Sequence, residues 1–182
     1  MNLEYFIASL PMLLPGQPAV LSVDDFRASC ASSLDGALAD AVEAIFDDRP
    51  SRHPFVRAWR DSENLLRNAI ARKRASRLNV ADVPQLATSG TDTSIEPAVA
   101  SAFDEVNPLR RETALDKIRW RIIDEMQGVE PLSENVVLAY AVKLTIAHHL
   151  ALLDNKKGLQ NFDKLTEAGD VERTVVASKE DE

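Results

Sequence analysis

From Pro54 to Leu78 apolar residues return at every third or fourth position, and that period decides which folds are open to the chain. Phe55, Trp59, Ser62, Leu66, Ala69 and Ile70 fall on one stripe of a helix, while Arg57, Arg60, Arg67 and Lys73 lie largely off it. Pro54 suits the first turn, because its missing N–H would have no intrahelical partner there. Glu63 stands four residues before Arg67, the favourable order for an ion pair of about 0.2–0.5 kcal/mol on an exposed helix. A half-buried strand would need alternation by two. No segment of the 182 residues sustains it, so the predicted class is all-α, a bundle of about six or seven helices.

The same logic places the other elements. Residues 1–20 are apolar and interrupted by Pro11 and Pro15, which leaves strand, extended arm and helix turn all open. Ser22 followed by Asp24 and Asp25 is a helix start, because a hydroxyl can accept a first-turn N–H and the dipole favours acids there. A helical hairpin over about Val23 to Phe46 is predicted, with Gly36 weakening its middle. Residues 84–93, with Thr88, Ser89, Gly90 and Asp92, form the clearest linker. Ser94-Ile95-Glu96-Pro97 opens a short helix ending near Val106. Asn107-Pro108 opens the next, with Leu115, Ile118, Ile122 and Met126 on one face and Trp120 and Ile123 beside it, ended by Gly128. A very apolar helix follows from Val136 to Leu153, and a last one is predicted over Asn155 to Ala168. The domain therefore spans residues 1–168, and residues 169–182, charged and without aromatics, are expected to be a disordered acidic tail.

The run from Val136 to Leu153 is nearly long enough to span a bilayer. Lys143 near its middle costs about 2.5–3.5 kcal/mol on insertion scales, so a buried core helix is expected rather than a transmembrane segment. The opening lacks a basic stretch ahead of its apolar residues, which argues against a secretory signal. Cys30 is alone, so no disulfide can form within the chain and a reducing compartment is its natural home.

The formal charge of -8 argues against a general nucleic-acid binder. It conceals strong segregation. From Arg49 to Arg77 nine Arg and Lys face only Asp61 and Glu63, whereas from Asp24 to Asp48 the acids are opposed by Arg27 alone. Such blocks suit oriented docking between charged partners, or pairing within the fold.

Catalytic and cofactor patterns are weak. His148 and His149 point about 100° apart on a helix and cannot easily face one metal, and no Glu-x-x-His pattern occurs. One His is expected to pack inside while the other reaches solvent. No Gly-x-Ser-x-Gly elbow and no Gly-x-x-x-x-Gly-Lys loop is present, so no nucleotide binding, cofactor, metal or enzymatic turnover is expected. The cluster Arg72-Lys73-Arg74-Ala75-Ser76-Arg77 reads first as a solvated face. Arg74, on a ridge with Glu63, Arg67 and Ile70, is expected to be drawn inward onto a carboxylate or carbonyls.

The pattern Glu63-x-x-x-Arg67-Asn68-x-x-x-Arg72-x-Arg74-Ala75 resembles a helix of the rotor-connecting C (also called d) subunits of V/A-type ATPases. The segment from Val137 through Tyr140 and Lys143 to His149, continuing to Asp154 and Lys157-Gly158, resembles their closing helix. A nearer resemblance is to a short bacterial family of unassigned biochemical function, usually encoded within V-type ATPase operons. It rests on Tyr5-Phe6-x-Ala8-Ser9-Leu10-Pro11, Trp59-x-x-x-Glu63, Leu115-Asp116-x-x-Arg119-Trp120 and Tyr140-x-x-Lys143-Leu144, in that order over residues 5–165.

The resemblance implies a cytoplasmic, non-catalytic subunit or accessory factor, peripheral to the membrane, with the central-stalk and membrane-ring subunits as partners. This chain is far shorter than a C/d subunit and cannot form its full three-part funnel. Trp59, Glu63, Arg67, Asn68, Arg72, Arg74, Trp120, Tyr140 and Lys143 are its expected structural or interface residues. In that role the basic helix meets an acidic shaft or ring loop. The alternative reading is a helical adaptor that binds RNA or an acidic protein through Arg72 to Arg77.

Overall fold

The computed structural model describes residues 2–153. Among them are seven helices and no strand: α1 (Leu3–Ser9), α2 (Val23–Ser33), α3 (Gly36–Phe46), α4 (Pro54–Leu78), α5 (Ile95–Asp104), α6 (Pro108–Gln127) and α7 (Glu134–Leu152). The class is all-α, as the periodicity predicts. Met1–Leu150 forms one compact unit, and of the second, Ala151–Glu182, residues 151–153 are described. The helix expected over 155–168 and the tail expected over 169–182 lie outside the described residues.

Most helix starts follow the expected local chemistry. Ser22 Oγ accepts the Asp25 N–H at 3.1 Å, and Asn107 Oδ1 accepts those of Leu109 and Arg110 at 2.9 and 3.2 Å. Pro54 and Pro108 occupy first-turn positions. The hairpin expected over Val23 to Phe46 is α2 and α3, with Gly36 in its middle as the first residue of α3, which Asp35 caps through Oδ1. One start differs from expectation. At α5 the Ser94 side chain makes no cap bond, and Asp92 Oδ1 accepts the Ser94 N–H at 2.8 Å instead. The undecided opening resolves into α1, whose Asn2 cap accepts the Glu4 N–H, and irregular chain to Ser22.

Two apolar clusters hold the helices. The first gathers Phe6, Phe26, Leu38, Val42, Phe55, Val56, Trp120, Ile123 and the buried face of α7. Phe26, fully buried, has Tyr140 at 5.0 Å, Phe46 at 6.1 Å and Phe6 at 6.3 Å between ring centroids. Burying such a side chain contributes about 1.5–3 kcal/mol. The second cluster joins Leu66, Ala69 and Ile70 of α4 to Ile95, Val99 and Phe103 of α5 and Leu115, Ile118 and Ile122 of α6. Trp59 and Met126 pack against both, so α4 and α6 run from one cluster into the other.

By length and composition α7 could cross a membrane. In this fold Val137, Leu138, Tyr140, Val142 and Leu144 are buried in the first cluster, the expected position for a helix that is apolar all round.

Candidate functional site

Where the two clusters adjoin, α4 and α6 bring four charged side chains together. Glu63, one turn beyond Trp59, receives two parallel hydrogen bonds from Arg119: Nε to Oε2 at 3.0 Å and Nη2 to Oε1 at 3.1 Å. Arg119 Nη1 also donates to Asp116 Oδ1 at 3.0 Å, and Arg67 Nε donates to Glu63 Oε1 at 3.0 Å. The side chains of Glu63, Asp116 and Arg119 are at most 19% exposed, whereas Arg67 is 52% exposed. Burial alone would lower the pKa of Arg119, but Glu63 and Asp116 outweigh it and hold it above the ordinary value.

Asp116 is in a different position. Burial raises its pKa, and Arg119 offsets this only in part. Its second oxygen, Oδ2, is buried without a hydrogen-bond partner among the described residues, and Asp116 lines a small cavity with Pro15, Gly16, Lys117, Trp120 and Ile146.

A second constellation lies on α7. Lys143 Nζ is 2.6 Å from Asp124 Oδ1, donates to Gln127 Oε1 at 3.1 Å and sits 5.6 Å from the Trp120 ring centre. Its side chain is 15% exposed, so the stem packs while the amine stays paired. The Tyr140 hydroxyl is buried without a partner among the described residues, and burial pushes its pKa up to about 12.

Part of the basic stretch of α4 is engaged inside the fold. Arg72 reaches Gln85 Oε1 and Glu96 Oε1, each at 2.5 Å. Arg77 donates to the Phe103 carbonyl and lies over the Phe103 ring. Arg60 Nη1 donates to the Asp48 carbonyl at 3.0 Å. Arg27 and Arg49 take up Glu43, Asp47 and Asp40 on the acidic hairpin. Arg74 corrects an expectation: it is 61% exposed, with Glu112 at 3.7 Å. The inward arginine is Arg119, because α6 delivers its guanidinium to Glu63 from the opposite side.

Residues 84–93 are irregular, as predicted, yet pinned to α4. Asn68, 6% exposed, donates from Nδ2 to the Leu86 carbonyl at 2.9 Å and accepts the Leu86 N–H on Oδ1 at 2.8 Å. Asn64 Nδ2 donates to the Ala87 carbonyl at 3.1 Å, and Ser89 Oγ donates to Asp61.

Of the expected residues, Trp59, Glu63, Arg67, Trp120 and Lys143 lie along the joins of α4, α6 and α7, Tyr140 packs on Phe26 of α2, and Asn68 and Arg72 serve the 84–93 segment. In the sequence Arg119 and Asp116 stand out only as parts of the Leu115–Trp120 motif. Their spacing of three, between Leu115, Ile118 and Trp120 of the packed face, was the available signal that they point inward. His148 and His149 are both exposed, against the expectation of one inside, because their positions face away from the cluster that holds Leu144 and Ile146. Cys30 is buried, and burial pushes its thiol up to about 12. Among the described residues no three His, Cys, Asp or Glu side chains are grouped to hold a metal ion.

A family model described as a protein of unknown function, DUF2764, matches residues 94–170. The match takes in α5, α6 and α7, hence Asp116, Arg119, Trp120, Tyr140 and Lys143, and leaves α4 outside. No curated protein and no solved structure matches the chain.

Proposed function

We propose that the chain is a non-catalytic component of a V/A-type rotary ATPase, a subunit or accessory factor that links or assembles central-stalk and membrane-ring parts from the cytoplasmic side. The observation that carries this reading is the meeting of the motif residues behind the resemblance. Glu63 on α4 is ion-paired to Arg119 on α6, which also holds Asp116; Lys143 on α7 reaches the Trp120 ring on α6, and Trp59, Trp120 and Tyr140 belong to or pack against the first apolar cluster. A part that works by contact needs a stiff body, and close-packed helices cross-linked by buried ion pairs supply stiffness.

The surface of this body is charged on both signs; some charges pair within the fold, as Arg72 does with Glu96, while Arg57, Arg110 and Lys117 are exposed without an ion pair among the described residues, which leaves charge as well as shape for docking. The experiment is co-purification: the chain, tagged at either end, is isolated from cells expressing the ATPase. Central-stalk or ring subunits are expected in the eluate at comparable amounts. Deletion of its gene with the ATPase still assembled and coupled would overturn the proposal.

A further inference from the structure

Residues 85–89 contact α4 in a strict antiparallel order. Gln85 meets Arg72, Leu86 meets Asn68, Ala87 meets Asn64, and Ser89 meets Asp61, one contact for each successive turn of the helix. The two central contacts read backbone alone. Asn68 takes both the N–H and the C=O of Leu86, as a neighbouring strand would, and Asn64 takes the next carbonyl. An asparagine ladder of this kind recognises an extended chain without regard to its side chains, and Arg72 and Asp61 at its two ends add a preference for an acceptor and a hydroxyl.

We infer that the Asp61-Asn64-Asn68-Arg72 face of α4 is a binding site for an extended polypeptide, which the chain's own 85–89 segment occupies in competition with a partner's. The partner segment is extended, carries an amide or acidic side chain at the place of Gln85, presents free backbone N–H and C=O groups at the next residue, and has Ser or Thr at the place of Ser89. The inference stands apart from the ATPase reading and does not require it.

The occupant itself shows why exchange is open. Its side chains are barely buried: Leu86 is 47% exposed, and from residue 80 to residue 94 only Val83 is better than exposed. The segment is therefore held by polar contacts with little apolar burial, which places it at the low end of local stability. The helix beneath is the reverse. With the segment in place Asn68 is 6% exposed, and its neighbours Leu66, Ala69 and Ile70 belong to the second cluster, so the backbone that carries the reading groups is anchored by α4's own packing. A cis occupant competes at the millimolar effective concentrations typical of short tethers, and a partner needs further contacts or local abundance to prevail.

The probe is a synthetic peptide of residues 82–92. In the full chain Leu86→Pro removes the N–H that Asn68 accepts and frees the ladder. The peptide is expected to bind this variant, and Asn68→Ala in the same background is expected to weaken binding at least about fivefold. Folding of each variant is checked by circular dichroism. The unaltered, nitrogen-15-labelled chain gives the second measurement: excess unlabelled peptide should accelerate hydrogen exchange at the Leu86 amide. No binding to a folded Leu86→Pro chain, binding indifferent to Asn68→Ala, or Leu86 protection unchanged at millimolar peptide would each overturn the inference. If Leu86→Pro does not fold, the exchange measurement on the unaltered chain decides it.

Discussion

Glu63 and Arg119, fifty-six residues apart, face each other with both carboxylate oxygens engaged, at 3.0 and 3.1 Å. This contact fixes α4 against α6 at the seam between the two apolar clusters. Buried ion pairs of this kind rarely add net stability over apolar packing, yet breaking one side leaves an uncompensated charge. Arg119→Met is therefore expected to cost about 3–5 kcal/mol, because Asp116 loses its ion-pair partner and Glu63 keeps only the half-exposed Arg67. Replacing Glu63 and Asp116 by Leu in the same background should recover most of that loss. Urea denaturation of the single and triple variants measures both values, and a triple variant no better than Arg119→Met would refute the pairing argument.

Asp116 predicts a pH dependence of definite sign. Its folded pKa is raised above the ordinary 3.8, so the native state binds its proton more readily than the unfolded chain. The group's contribution favours the fold below pH 3.8, declines as pH rises through the folded pKa, and is constant beyond it. Asp116→Asn keeps an acceptor for Arg119 and removes the titration. The stability of this variant relative to the unaltered chain should therefore climb as pH rises through that window and then level off. A difference independent of pH between 3 and 7, in denaturation at matched ionic strength, would contradict it.

The helices were legible where local chemistry declares them. Ser22, Asn107, Pro54, Pro108 and Gly128 each satisfy or block a backbone group within a few residues, and a pattern on that scale is written in the sequence itself. The seam was legible only on one side. The Glu63–Arg67 pair follows from a spacing of four, but the reach of Arg119 to Glu63 depends on how α6 rotates against α4, which no single helix records. Extending the Glu63–Arg67 ridge to Arg74 went wrong for the same reason: the inward position was already filled from the other helix. The 84–93 segment read correctly as irregular, yet its attachment hangs on Asn68, whose polar side chain on an apolar face was the visible clue.

Lys143 separates packing from charge. Asp124 is 54% exposed, so solvent screens their ion pair and its worth is about 0–1 kcal/mol. The packed methylene stem remains if the amine alone is removed, and what goes is the ion pair and the amine's approach to the Trp120 ring. Lys143→Met is accordingly expected to change stability by less than about 1 kcal/mol, while Lys143→Ala should cost about 1–3 kcal/mol through lost packing. Equal effects of the two substitutions in thermal denaturation would reverse this ranking.

The buried Cys30 thiol is held in its unreactive form, with burial raising its pKa to about 12. In the native chain its alkylation at pH 8 should be limited by opening of the α2 region and should rise steeply with denaturant. Rapid labelling without denaturant, followed by mass spectrometry, would contradict that burial.

Two glycines should respond to alanine in opposite directions. Gly36 begins α3 with ordinary backbone angles, and a Cβ there would meet no atom within 4 Å. Alanine restricts the unfolded chain and favours the helix, so Gly36→Ala should stabilise by about 0.4–1 kcal/mol. Space is equally free at Gly128, but its φ of +76° and ψ of -168° fall in a region nearly closed to residues with a Cβ. Gly128→Ala should therefore destabilise by about 1–3 kcal/mol, with the strain falling on the turn that leads from α6 into α7. Because neither substitution alters a contact, the difference between them isolates the backbone. Denaturation midpoints that move in the same direction would show that the α6–α7 turn does not hold Gly128 at positive φ.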